Sequence, residues 1–385
     1  MSVSPYDGAT MTTIPVRPPL EDRERDRERD RERETLEKID LVRARTPRFR
    51  DERITMAHGA GGKATSSLVQ GLFVPAFASP VLSLLDDSAA LRVDGAQIAM
   101  TTDSFVVKPL VFPGGSIGEL AVNGTVNDLA VAGARPLAIS LAMILEEGLP
   151  AETLRREVEA IARAARVAGV SVVTGDTKVV ERGHADGMYL CTTGIGRRDE
   201  RATLSPASLQ PGDRVLISGD IGDHGMAIML ARGQFELDAE IVSDTRSLWP
   251  AADALLEAVG GGLRCMRDAT RGGVASVLNE LATTSGVAVL VDEKALPIAP
   301  AVAGACELLG IDPMYVANEG KLVAVVAADV ADRALAALRS VPGCERATDI
   351  GAVCREPRAM VIVQTAFGGR RVMDVLVGDP LPRIC

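Results

Sequence analysis

Aromatic side chains are scarce in this chain, only 3% of its 385 residues, with a single tryptophan. Cores without large rings must be packed from Ala, Val, Leu and Ile, and apolar residues in total reach 47%. Histidine occurs three times and cysteine six (Cys191, Cys265, Cys306, Cys344, Cys354, Cys385), with no C-x-x-C pair. That excludes a zinc or disulfide framework and fits a reducing, cytoplasmic setting. An excess of basic residues is also lacking. The net charge is −10, which argues against nucleic acid as a partner. No apolar run approaches the ~18 residues that span a bilayer, and the first residues carry no apolar secretory core, so no membrane association is expected.

What is present divides into four stretches. Residues 1–53 contain "EDRERDRERDRERE", whose alternating charges make attractive and repulsive helix pairs in equal measure, and a disordered charged extension is expected. From Ile54 the pattern is α/β. "QIAMTTDSFVV" and "VSVVTGDTKVV" read as strands entering aspartate-bearing turns. "AETLRREVEAIARAARVAG" reads as an amphipathic helix with Leu154, Val158, Ile161 and Ala165 on its apolar face. "SPASLQPGD" breaks the pattern and separates a first domain, 54–205, from a second, 206–367. The cycle then restarts as strand "RVLISG", loop "DIGDHG" and helix "MAIMLARG". Residues 368–385 are read as a mobile tail ending "GDPLPRIC", in which Pro380 and Pro382 favour an extended rod.

Glycine and aspartate turns hold the chemistry. "HGAGGK" offers Gly59, Gly61 and Gly62 for close backbone approach to an anion, with Lys63 adding charge. It is not a Walker A loop, and alone it reads first as a tight turn and second as a phosphate contact; "GDIGDHG" misses the dinucleotide fingerprint by one position. "RDATRGG" places Arg267, Arg271, Gly272 and Gly273 before a helical stretch, an arrangement suited to phosphate at a helix N-terminus. Asp86, Asp87, Asp103, Asp128, Asp176 and Asp268 stand mostly at the ends of apolar segments. Singly each reads as a turn or cap residue; together they suit Mg²⁺ and a triphosphate. His58 and His224, flanked by glycine, read first as turn caps.

Taken in order, "HGAGGK", "TTDSFVV", "FPGGSIGELAVNGTVNDLAVAGARP", "EEGLP", "TGDTKVV", "SGDIGDHG", "RDATRGGV", "ANEGKLV" and "PLPRIC" resemble the HypE family of hydrogenase maturation factors. That family lies within the ATP-binding superfamily of aminoimidazole ribonucleotide synthetase and selenophosphate synthetase, and the resemblance runs from about Ile54 to Cys385. It implies an α/β (α+β type) PurM-like architecture of two domains, with two N-terminal domains pairing into a dimeric β-barrel, hence a homodimer. It implies carbamoyl dehydratase activity with ATP and Mg²⁺. Cys385 would receive a carbamoyl group from the carbamoyltransferase HypF, the group would be dehydrated to a thiocyanate, and the cyanide would pass to the HypC–HypD complex for the [NiFe]-hydrogenase iron. On this reading Lys178 and Glu319 position charge and remove a proton, and Asn127 joins the glycine turns at the nucleotide. The residues alone leave two alternatives open: an ATP-dependent synthetase or kinase for a small molecule, and a scaffold whose terminal thiol binds a metal or partner.

Overall fold

In the computed structural model the described residues are 49–233, 240–376 and 383–385; the charged run of the expected extension and the Pro380–Pro382 rod lie outside them. Two short helical pieces (Met56–Gly59 and α1, Lys63–Leu68) precede a five-stranded sheet. Its strands are β1 (Ala89–Val93), β2 (Ala96–Phe105), β5 (Ala134–Glu146), β6 (Ser171–Val180) and β7 (Met188–Arg198), with a two-stranded ribbon, β3 (Val111–Phe112) and β4 (Gly115–Ser116), set apart. The order is β1-β2-β7-β5-β6, antiparallel except for the parallel β5–β6 pair.

Two helices cover one face of this sheet. The helix α2 (Ile117–Val131) is buried along nearly its whole length. It comes close to the sheet because Gly124 has no side chain: a Cβ there would meet the Phe105 ring at 2.9 Å. Its N-terminus is met by the buried carboxylate of Glu157, whose Oε2 accepts from the Gly118 N–H at 3.2 Å. Glu157 belongs to α3 (Ala151–Ala168), which starts after Pro150 and stops at Gly169 in the left-handed conformation. The apolar face of α3 is turned from the expected one. Glu157, Ala160, Ile161, Ala164 and Ala165 point inward, Leu154 is half-buried, and Val158 is exposed, because the helix phase follows its contact with α2.

The opposite face of the sheet is uncovered. Alternation along the strands places Leu91, Met100, Ile144 and Ile195 there, each 39–42% exposed.

The second half carries seven strands: β8 (Arg214–Ile217), β9 (Leu263–Asp268), β10 (Ala288–Asp292), β11 (Leu322–Val326), β12 (Thr348–Cys354), β13 (Met360–Gln364) and β14 (Arg370–Met373), in the order β14-β13-β10-β12-β8-β11-β9. Helices α4 (Asp223–Ala231), α5 (Trp249–Val259), α6 (Gly273–Ser285), α7 (Pro300–Leu309) and α8 (Ala331–Arg339) alternate with them. One core lies between α6 and the sheet, a second between the sheet and α5 with α8. A third core joins the halves, bringing Leu120, Val126 and Ile161 together with Met226, Ile228 and Val302. Ile384, next to the chain end, is part of it. The stretch expected to open the tail is part of the sheet: Arg370–Met373 pairs with Val361–Gln364, so any tail begins after Met373. Among the described residues no helix is long and apolar enough to cross a membrane.

Candidate functional site

Two glycine-rich turns far apart in sequence meet. Gly61, at φ +77°, packs on Arg271, whose Nη1 donates to the Gly59 carbonyl at 2.6 Å. Gly272 and Gly273 lead into α6 at positive φ, and a Cβ on Gly273 would strike the carbonyl oxygens of Met314 and Val316 at 2.5 and 2.6 Å. Glycine is required there for the backbone to pass. These turns line a cavity of about 360 Å³ together with Val106, Ser276, Tyr315, Arg383, Ile384 and Cys385. The terminal cysteine thus opens onto the same cavity as the candidate phosphate-binding backbone.

A carboxylate group stands beside it. Asp103 on β2, Asp128 on α2, Asp268 at the end of β9 and Asp87 before β1 all have raised pKa values, and the charge of Asp103 contributes to the other three. Burial is the first cause in each case. For Asp128 the charges of Asp103, Asp268 and Asp87 add to it, against the Thr101 hydroxyl that donates to its Oδ2 at 2.5 Å. Asp87 is pushed up to about 6 by burial, with Arg267 opposing. The Arg267 guanidinium lies 2.6 Å from Asp86 and 3.1 Å from Asp87, so it holds carboxylates here and is not turned to the cavity. Among the described residues no three of these side chains converge as a closed metal cage. The donor set nevertheless suits a hard dication: several carboxylates crowd together with unfavourable mutual charge.

Glu319 approaches this group from the second half. It is 2% exposed, and its Oε2 has no hydrogen-bond partner among the described residues. Burial, then the charges of Asp268, Asp244 and Asp103, hold its pKa well above the usual carboxylate range, with Arg271 opposing.

Other expected site residues lie elsewhere. Asp176 and Lys178 form a 2.6 Å ion pair on β6, both more than 60% exposed. The register runs Asp176–Ala142–Cys191–Ser104, so Asp176 shares the uncovered face with Ser104, three strands away, while Asp103 points to the helix side. Within one chain Asp176 and Lys178 therefore do not reach the carboxylate group or Glu319. Asn127 is not placed for a nucleotide either: its Nδ2 donates to the carbonyls of Arg246 and Glu319, and its Oδ1 accepts from the Leu248 N–H. Its amide is used up joining α2 to the second half. Lys63 pairs at the surface with Asp374 at 2.9 Å.

The histidines divide. The Nδ1 of His58 accepts from the Thr55 N–H, as expected of a turn cap, and its Nε2 meets Asp51 at 2.9 Å. The buried His224 contacts the chain end instead, its Nε2 lying 2.6 Å from the Ile384 carbonyl. Sequence reasoning also missed Asp244, which binds the Glu319 N–H and Lys321. "SDTRS" is one more aspartate turn of the kind singled out elsewhere, and that was the available signal.

Residues 85–198 match the N-terminal domain family of AIR synthase related proteins and residues 210–364 the C-terminal one. The chain is 50% identical to the carbamoyl dehydratase HypE of Cupriavidus necator over 90% of its own length and 99% of that protein. It is 45% identical to the Escherichia coli HypE, over 86% and 99%. A solved structure of HypE with ATP superposes with a TM-score of 0.73 at 44% identity, covering 86% of this chain and all of that one. A chain of a HypE–HypF complex superposes at 0.77, with 44% identity over 80% of this chain and all of that one.

Proposed function

The chain belongs to the HypE family of carbamoyl dehydratases, and on that premise we propose that it dehydrates a carbamoyl group on its own Cys385 to a cyanide, using ATP, for the iron of a [NiFe]-hydrogenase. The observation that carries this reading is the terminal cysteine in one cavity with Gly59, Gly61 and Arg271.

The chemistry follows from the leaving group. Hydroxide leaves a thiocarbamate poorly. Transfer of the ATP γ-phosphoryl group to the carbamoyl oxygen, with loss of one N–H proton, gives an imidate phosphate and ADP. Loss of the second N–H proton then expels phosphate and leaves S–C≡N. Arg271 and Gly272, which caps the start of α6, line the cavity where phosphate charge develops. Glu319 suits proton removal: it is buried, its Oε2 lacks a partner among the described residues, and its surroundings raise its affinity for a proton. Asp87, Asp103, Asp128 and Asp268 are the residues that would hold Mg²⁺, which supplies charge neutralisation at the nucleotide phosphates.

A homodimer fits the uncovered apolar face of the first sheet, and two such faces closing on each other would form a barrel. A place for Asp176 and Lys178 in the chemistry then requires a second copy. We assign the nucleotide-binding half to 54–205 and the completing half from 206 through Met373. HypF is the carbamoyl donor and HypC–HypD the acceptor of cyanide. A carrier thiol must stay reduced, which suits the cytoplasm.

The test is intact-mass spectrometry after incubation with carbamoyl phosphate, HypF and ATP. Cys385 should gain about 43 Da on loading and then lose about 18 Da as water on dehydration. A protein that loads but never loses water in the presence of MgATP would refute the dehydratase reading.

A further inference from the structure

The carrier thiol is not merely near the site. The last three residues run alongside 106–108, held by two backbone hydrogen bonds: a Cys385 carboxylate oxygen accepts from the Val106 N–H at 3.0 Å and the Arg383 carbonyl from the Lys108 N–H at 3.4 Å, with Arg383 in the left-handed conformation. Two side chains hold the other contacts. Arg232 Nη2 donates to the Arg383 carbonyl at 2.7 Å, and His224 holds the Ile384 carbonyl. The Arg383 guanidinium meets the Val106 carbonyl and the carboxylate of Asp186. Segment 106–108 continues directly from β2, which carries Asp103, so the register of the tail on this segment fixes the thiol relative to the carboxylate group.

His224 is unusual for its setting. It is 0% exposed, lies edge-on to Phe112 with ring centres 5.6 Å apart, and is surrounded by the core that joins the halves. A buried ring nitrogen in such a place is costly unless it is hydrogen-bonded. A carbonyl only accepts, so Nε2 carries the proton toward Ile384. The Ser243 hydroxyl, 2.8 Å from Nδ1, then donates to Nδ1 while its oxygen accepts from the Thr245 N–H at 3.2 Å. Ser243 thereby fixes the neutral tautomer with its proton on Nε2. The next residue, Asp244, binds the Glu319 N–H, so one loop reaches both the tail and the candidate base.

Resting on the dehydratase reading, we propose that His224 is a positioning residue: its Nε2–H, set as donor by Ser243 and assisted by Arg232, holds the terminal tripeptide in the one register that presents Cys385 for dehydration. Loading requires the tail outside this seat, so His224 serves the second step and not the first.

Two measurements separate these roles. Alkylation of Cys385 by iodoacetamide, followed on the C-terminal peptide DPLPRIC, reports seating without any chemistry. Single-turnover dehydration of carbamoylated protein reports the consequence. For His224→Ala alkylation should quicken at least tenfold and dehydration slow at least tenfold, with loading by HypF no slower than in wild type and ATP affinity by calorimetry unchanged. His224→Gln, whose amide nitrogen reaches to where Nε2 stands, should recover a substantial part of both. Arg232→Met, on a partly exposed side chain, should shift both rates in the same direction and carries the test if His224→Ala does not fold. Wild-type rates in His224→Ala and Arg232→Met, or a His224→Gln protein no better than His224→Ala, would overturn the proposal. If even the wild type makes no thiocyanate, the dehydratase reading fails, while the alkylation comparison still decides whether the seat exists.

Discussion

The backbone N–H of Glu319 donates to Asp244 Oδ1 at 3.0 Å, and the other oxygen of the same carboxylate receives Lys321 Nζ at 2.9 Å. Asp244 and Lys321 are 4% and 6% exposed at the side chain. Burial alone would raise the Asp244 pKa, but the charge of Lys321 and its hydrogen bond hold it below the usual range. Removing one partner of such a pair strands a buried charge. Asp244→Ala should therefore lower unfolding free energy by about 3–5 kcal/mol, read from urea denaturation. A loss under about 1 kcal/mol would mean that water reaches Lys321.

Glu319→Gln keeps the side-chain shape and removes the proton acceptor. The variant should bind ATP and accept the carbamoyl group, then stall, with the adduct held at about +43 Da and dehydration slowed at least ~100-fold. Normal conversion to thiocyanate would remove Glu319 from proton transfer.

Asp103→Asn relieves charge crowding among the apo carboxylates and removes a hard ligand. MgATP affinity should fall by about tenfold or more in calorimetry, while the free protein should be no less stable. Asp176→Asn should leave MgATP affinity unchanged, since Asp176 is exposed on the other face of the sheet. An equal loss in Asp176→Asn would place it in the site of a second copy.

Asp186 is held at about 2 by hydrogen bonds from Lys108 first and Arg383 second. A depressed carboxylate pKa stabilises the folded, seated form at pH values above its ordinary range, near 4, and that contribution is lost as pH falls toward about 2. Its exposure keeps the effect small. Asp186→Asn should lower Tm slightly at pH 7 and bring no further loss relative to wild type between pH 4 and pH 2.5. A variant that matches wild type at pH 7 yet diverges in acid would contradict the assignment.

Much of the architecture was legible because it rests on local patterns. Short apolar runs mark β2 and β6, Pro150 and Gly169 bracket α3, and Gly61, Gly272 and Gly273, all at positive φ, show a need for bare backbone. The face on which a side chain sits was less legible. "TTDS" and "TGDTK" look alike, yet the pairing partners of β2 and β6 turn Asp103 inward and Asp176 outward. Asn127 resembled a ligand-binding amide; its three hydrogen bonds go to residues 119 to 192 positions away, which no local pattern encodes. His224 read as a turn cap for the same reason, since its partner stands 160 positions on, at the chain end.

The burial of Ile384 sets a thermodynamic condition on the partner that loads Cys385. This side chain is 4% exposed and belongs to the core between the two halves. Drawing it into water costs about 1.5–3 kcal/mol, so an empty seat is populated only at roughly one part in ten to one part in a hundred. A carbamoyl donor that engages the withdrawn tail binds with its intrinsic affinity reduced by that fraction. The same bias acts in the other direction after loading: the tail returns to the site by its own hydrophobic free energy, and the protein needs no separate signal to begin dehydration.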